Sequence, residues 1–162
     1  VIRLRGVLTG LAKAGALLGG GLLLVAVGVT CASVIRGLFG RPILGDSEIV
    51  EMCLGVAVAL YLPWAEMRGS HVIVDVFTAR LPARGIAWLE AVMRGCVALV
   101  ATILAVQIAD GAFAQWDRER ATMFLEIPYW WGYAGAALGL ALWAATAFLV
   151  AAERFHEARH PA

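Results

Sequence analysis

The chain has 162 residues, 62% of them apolar and 15% charged, with a formal net charge of +1 and a mean hydropathy of +0.83. Soluble domains run at about 45–50% apolar and about 25% charged, so this composition excludes a water-soluble globular domain. A charge balance this close to zero, with no basic stripe, also excludes the phosphate-neutralising surface of a nucleic-acid binder.

Taken in chain order, four stretches approach the roughly 20 predominantly apolar residues that a crossing helix needs. The first, 15–35, follows Arg3, Arg5 and Lys13. It exceeds the roughly 7–15 residues of a secretory h-region and no A-x-A-like site follows it, so it reads as a retained span. Gly15 and Gly19 within it have the small-xxx-small spacing that lets helices approach closely. The second stretch, 49–65, carries Glu51 near one end and Pro63 near the other. Pro63 predicts a local break whose freed carbonyl is satisfied by a neighbouring helix. Asp46 and Glu48 open this helix, where negative charge suits the positive end of the dipole.

Between the second and third stretches lies EMRGSHVIVDVFTARLPAR, Glu66 to Arg84, too apolar for a solvated loop and too charged to cross a bilayer. At helical spacing His71, Asp75 and Thr78 share one polar face, with Val72, Ile73, Val74, Val76, Phe77 and Leu81 covering most of the rest. Pro82 stops it. This predicts a short amphipathic helix, about residues 71–82, lying on the membrane surface. The third span, 95–116, is expected to start early, from about Ala83, with Glu90 and Arg94 paired at i, i+4. The fourth, 127–150, contains Gly135 and Gly139, again at small-xxx-small spacing.

The expected architecture is a single all-α integral membrane domain: four transmembrane helices plus the interfacial helix. Lys and Arg gather at the termini and around the middle connection, while only Arg36, Arg41, Arg118 and Arg120 lie at the other two connections. Positive charge stays inside, which puts both termini in the cytoplasm. Trp116, Tyr129, Trp130 and Trp131 then form an aromatic belt on the outer side.

Groups able to do chemistry are scarce. His71, His156 and His160 all lie outside the spans, so paired haem ligands are absent, and no HExxH, GxSxG or Walker pattern occurs. Cys31, Cys53 and Cys96 show no metal or disulfide spacing and read as small buried hydrophobes. Glu51 and Asp110 lie one or two turns inside the outer boundary. They are either an ion or proton relay or carboxylates satisfied near the interface. His71 with Asp75 is either a metal or proton pair or a structural hydrogen bond.

Three motifs carry a resemblance. IRGLFGRPILGDSEIVE supplies Arg36, Pro42, Gly45 and Glu48-Ile49; RGSHVIVDVFTARLP supplies Gly69, His71, Val72, Val74, Asp75, Leu81 and Pro82; FLEIPYWWGYAGAALG supplies Leu125, Ile127, Pro128, Trp130 and Trp131. Over about residues 30–145 the chain resembles the small membrane subunit, DctQ-like, of tripartite ATP-independent periplasmic (TRAP) transporters. It departs from that pattern at Ala136-Ala137-Leu138-Gly139, where a proline step is common. The resemblance implies a bacterial inner-membrane subunit with no enzymatic chemistry and no cofactor of its own, sodium coupling lying in a large polytopic partner. A periplasmic protein would deliver an organic anion to that complex. The small subunit would scaffold the large one and help receive the periplasmic protein, in contact with membrane lipid. On this reading the segments Arg36 to Glu48 and Asp117 to Glu126 face the periplasmic protein, with Arg41, Asp46, Glu51, Arg118 and Arg120 as candidate contacts. The segment around His71 and Asp75 would brace the cytoplasmic surface. Two other readings are a stand-alone proton-coupled exporter, working through Glu51 and Asp110, and a membrane anchor for an unrelated complex.

Overall fold

The computed structural model describes residues 2–40, 43–68 and 83–159. Among them run four long helices: α1 Ile2–Leu38, α2 Asp46–Met67, α3 Ala83–Asp117 and α4 Trp130–Arg159. Each is long and apolar enough to cross a membrane. The expected interfacial helix at 71–82 lies outside the described residues, as do Arg41, Pro42, Gly69, His71, Asp75 and Pro82.

The helices pack as a row and not as a closed bundle. α1 packs on α2, α2 on α4, and α4 on α3; α1 meets α4 only slightly, and α3 shares no packed face with α1 or α2. α4 is therefore the spine: 39% of its most apolar stretch is buried, against 17% in each of the other three. The flanking helices keep large apolar side chains on the surface, among them Leu17, Leu24 and Val27 on α1 and Leu99, Ile103 and Phe113 on α3. In lipid such a surface costs nothing, because acyl chains solvate it.

Without a hydrophobic drive between helices, association rests on close packing of small residues. The core is accordingly mostly alanine: Ala12, Ala26, Ala57, Ala59, Ala98, Ala101, Ala144 and Ala147 are all buried. Ala12, Gly19, Ala26 and Ser33 are spaced by seven and form the buried stripe of α1, the repeat of a left-handed crossing. A side chain at Gly19 would stand 3.1 Å from the Ala57 carbonyl oxygen of α2.

The seam between α2 and α4 is tighter still. Pro63 lies inside α2 and lacks the N–H that would have bonded the carbonyl four residues back, at Ala59. The helix nevertheless runs through to Met67 without the expected break. Gly139 of α4 presses against that same peptide: a Cβ there would lie 2.7 Å from the Ala59 carbonyl carbon and 2.8 Å from its oxygen. A glycine hydrogen stands in that space instead, facing an acceptor that the proline has released, a geometry suited to a weak C–H···O contact.

α2 has 22 residues, α3 has 35 and α4 has 30. At about 1.5 Å per residue α2 alone matches a hydrocarbon core of about 30 Å. The extra length lies at the end carrying the two termini, hereafter the terminal end. There α3 and α4 continue past the last turn of α2 as an antiparallel pair, joined by Trp88 edge-on to Phe155 with centroids 6.3 Å apart. α3 begins at Ala83, as its amphipathic start predicts.

Candidate functional site

Two polar assemblies punctuate this apolar row, one at each end. The far end is built on the turn before α2. Gly45 adopts φ +83°, a left-handed conformation that favours glycine, and it is also buried beneath the connection from α3 to α4. A Cβ on Gly45 would stand 2.8 Å from Leu125 Cγ and 3.0 Å from Phe124 Cβ. Only a residue without a side chain satisfies both demands.

One turn on, Glu48 reaches across to that connection. Its Oε1 accepts the backbone N–H of Phe124 at 2.9 Å and its Oε2 that of Leu125 at 3.1 Å. The helix dipole alone, the role expected for Glu48, therefore does not account for it: the carboxylate is a clamp. Its two charge-assisted bonds satisfy amides that have no ladder or helix to join.

The clamped connection is a hooked hairpin. Ala121 bridges Pro128, Thr122 N–H donates to the Ile127 carbonyl at 2.9 Å, and Tyr129 N–H donates to the Arg120 carbonyl at 3.1 Å. Buried Thr122 accepts the Ile127 N–H through its hydroxyl at 3.0 Å. Glu119 and Glu126 take positive φ angles of 47° and 53°, turning the chain at either side. Pro128 then leads into α4, and Trp130 stacks edge-on to Trp116 of α3 at 4.8 Å and to Trp131 at 6.0 Å. The aromatic residues expected to form a belt thus also pin the hairpin base. At its tip Met123 is 85% and Phe124 57% exposed, so the clamp holds out an apolar knob.

Of the sequence-derived candidates, Gly45, Glu48, Pro128 and Trp130 are brought together here. Arg36 is exposed on the last turn of α1, and Arg118 and Arg120 are exposed beside the hairpin. Asp46 accepts the neighbouring Ser47 N–H at 2.7 Å. Glu51 is exposed and lines a small pocket with Met52, Tyr129 and Tyr133; Asp110 is exposed and does not line it. Replacing Glu48 by alanine is expected to release the hairpin while leaving the row intact. A charge-assisted hydrogen bond is worth about 1.5–3 kcal/mol, so hydrogen–deuterium exchange at the Phe124 and Leu125 amides should rise by roughly tenfold or more, with α4 unchanged.

At the terminal end the key residue is Glu66, 1% exposed. Arg94 of α3 donates to its Oε1 at 2.7 Å and Trp143 Nε1 of α4 lies 3.4 Å from its Oε2. Arg94 was expected to pair with Glu90 one turn away; instead it turns inward to Glu66, and Glu90 meets Arg154 of α4 at 3.7 Å. Glu66 and Arg94 thereby tie α2 to α3, which share no packed face. Arg5 and Glu153 add an exposed pair between α1 and α4 at 3.2 Å. The sequence offered no sign of the Glu66 contact, because its partners lie 28 and 77 positions away. Cys31 and Cys96 are exposed and Cys53 half-buried, against the expectation of buried packing, because α1 and α3 lie at the edges of the row.

Among the described residues no group of three or more His, Cys, Asp or Glu side chains could hold a metal ion. Both assemblies join elements that are distant in sequence.

Neither a curated protein nor a solved structure matches the chain. The family described as tripartite ATP-independent periplasmic transporters, DctQ component, matches residues 8–157. That match takes in the Glu48 clamp, the Glu66–Arg94 pair and all but the outer ends of the four long helices, and the chain belongs to the DctQ component family of TRAP transporters.

Proposed function

We propose that this small permease subunit scaffolds the large membrane subunit of a sodium-coupled TRAP transporter for organic acids, and helps dock the periplasmic substrate-binding protein. The observation that carries this reading is the open row. Its two edge helices display long apolar flanks, and its only buried ion pair among the described residues holds helices together rather than lining a path. A transporter acting alone needs titratable or ligating groups converging at membrane depth. Here Glu51 and Asp110, the residues the exporter reading needs, are both exposed.

In the proposed arrangement both termini are cytoplasmic and the far end faces the periplasm of a bacterial inner membrane. The clamped hairpin, with Arg118 and Arg120 beside it, then offers charged and apolar contacts to the binding protein, together with Arg36 at the end of α1, Arg41, and Asp46 at the start of α2. The segment holding Gly69, His71, Asp75 and Pro82 braces the cytoplasmic side. Sodium and substrate are handled by the large subunit. The test is uptake of labelled organic acids by membrane vesicles supplied with the binding protein and the large subunit. Uptake is expected to require both a sodium gradient and this chain; uptake that persists without the chain contradicts the proposal.

A further inference from the structure

A groove of about 670 Å³ runs along the α1–α2 seam, lined by Lys13, Leu17, Gly20, Gly21, Tyr61 and Trp64, with Ala16 and Leu24 completing its wall. It has the dimensions of a small-molecule site, about 300–1,000 Å³, but lies open along the apolar flank of the row, where only lipid or another membrane chain can reach it. Its chemistry changes along its length. From Leu24 to Leu17 the walls are apolar. At the terminal end it meets the Lys13 ammonium, and one turn past Trp64 the Arg68 guanidinium lies 4.8 Å over that indole. Among the described residues no carboxylate pairs with Lys13 or Arg68. An exposed lysine with no counter-charge, at the mouth of an apolar groove framed by Tyr and Trp, matches an acyl chain capped by a phosphate. Basic pockets between transmembrane helices bind anionic headgroups in this way.

We infer that the α1–α2 groove is a binding site for an anionic glycerophospholipid, its acyl chain along Gly20, Gly21 and Leu24 and its phosphate at Lys13 with Arg68 beside it. The site does not depend on the transport reading, so its test stands apart from that of the transporter.

Two glycines of α1, Gly21 in the groove wall and Gly19 in the helix seam, separate two effects. A Cβ on Gly21 meets nothing within 4 Å, whereas one on Gly19 meets the α2 backbone at 3.1 Å. Gly21→Leu therefore fills the groove without prising the helices apart. The experiment is native mass spectrometry of the purified full chain in mild detergent, with dioleoylphosphatidylglycerol or dioleoylphosphatidylethanolamine added at equal concentration. The wild type is expected to retain the anionic lipid in preference, by roughly fivefold for one lysine near the headgroup. Lys13→Ala should abolish the preference while keeping some of both adducts. Gly21→Leu should lose both adducts while its helical signal and melting are no lower than those of the wild type. Equal retention of the two lipids by the wild type, or retention unchanged in Gly21→Leu, overturns the inference. So does a dimer of the chain, dispersed by Gly21→Leu, appearing in place of lipid adducts.

Discussion

Replacing Arg94 by methionine is expected to be among the most damaging single changes in this chain. The substitution keeps the length and apolar stem of the side chain but takes the guanidinium, 2.7 Å away, from a Glu66 carboxylate whose side chain is 0% exposed. Breaking a buried pair from one side costs about 3–5 kcal/mol, because the remaining charge stays out of water. The same should hold for Glu66→Leu, which strands the guanidinium. The informative variant is the double one. A buried pair replaced from both sides by apolar groups is often neutral or stabilising, so Glu66→Leu with Arg94→Met should recover most of the loss. Unfolding of the four proteins in mixed micelles measures the coupling directly. Losses that simply add would mean that the two side chains do not act as a unit.

Gly139→Ala is expected to produce the second large effect, although it adds only one methyl group. That methyl would stand 2.7 Å from the Ala59 carbonyl carbon and 3.0 Å from the Ala59 Cβ, and most of what it meets is backbone that cannot rotate away. Overpacking of this kind costs about 1–3 kcal/mol, opposed by the roughly 1 kcal/mol that alanine gains over glycine in helix propensity. Thermal unfolding in detergent should show a clear net destabilisation at Gly139. Gly21→Ala, where the new methyl meets nothing within 4 Å, should show a gain. Equal shifts at the two positions would mean that propensity alone decides, and that the α2–α4 seam is not the tight contact described here.

The contrast between these sites shows what a sequence makes legible. The four long helices follow from uninterrupted apolar length, a local property that lipid makes decisive. The seams at Gly15, Gly19, Gly135 and Gly139 were legible too, since small residues at four-residue spacing leave room for another backbone. Gly45 and Glu48 stood out as parts of a motif, but not for what they do. A carboxylate at the start of a helix has an adequate local explanation in the dipole, and its bonds to Phe124 and Leu125 span more than seventy positions. Glu66 was invisible for the same reason. Arg94 has a good partner at i−4 in Glu90, and nothing local reveals that burial at the α2 end would outcompete it. The order of the row was equally hidden, because each helix has small residues on more than one side. Charges that act through long-range contacts leave no local signature in the sequence.

The most direct measurement is native affinity purification of the tagged chain from bacterial membranes in mild detergent, with mass spectrometry of what accompanies it. The account predicts a stoichiometric, much larger polytopic membrane protein covering the apolar flanks of α1 or α3. A chain that purifies alone and catalyses transport when reconstituted into liposomes would contradict it.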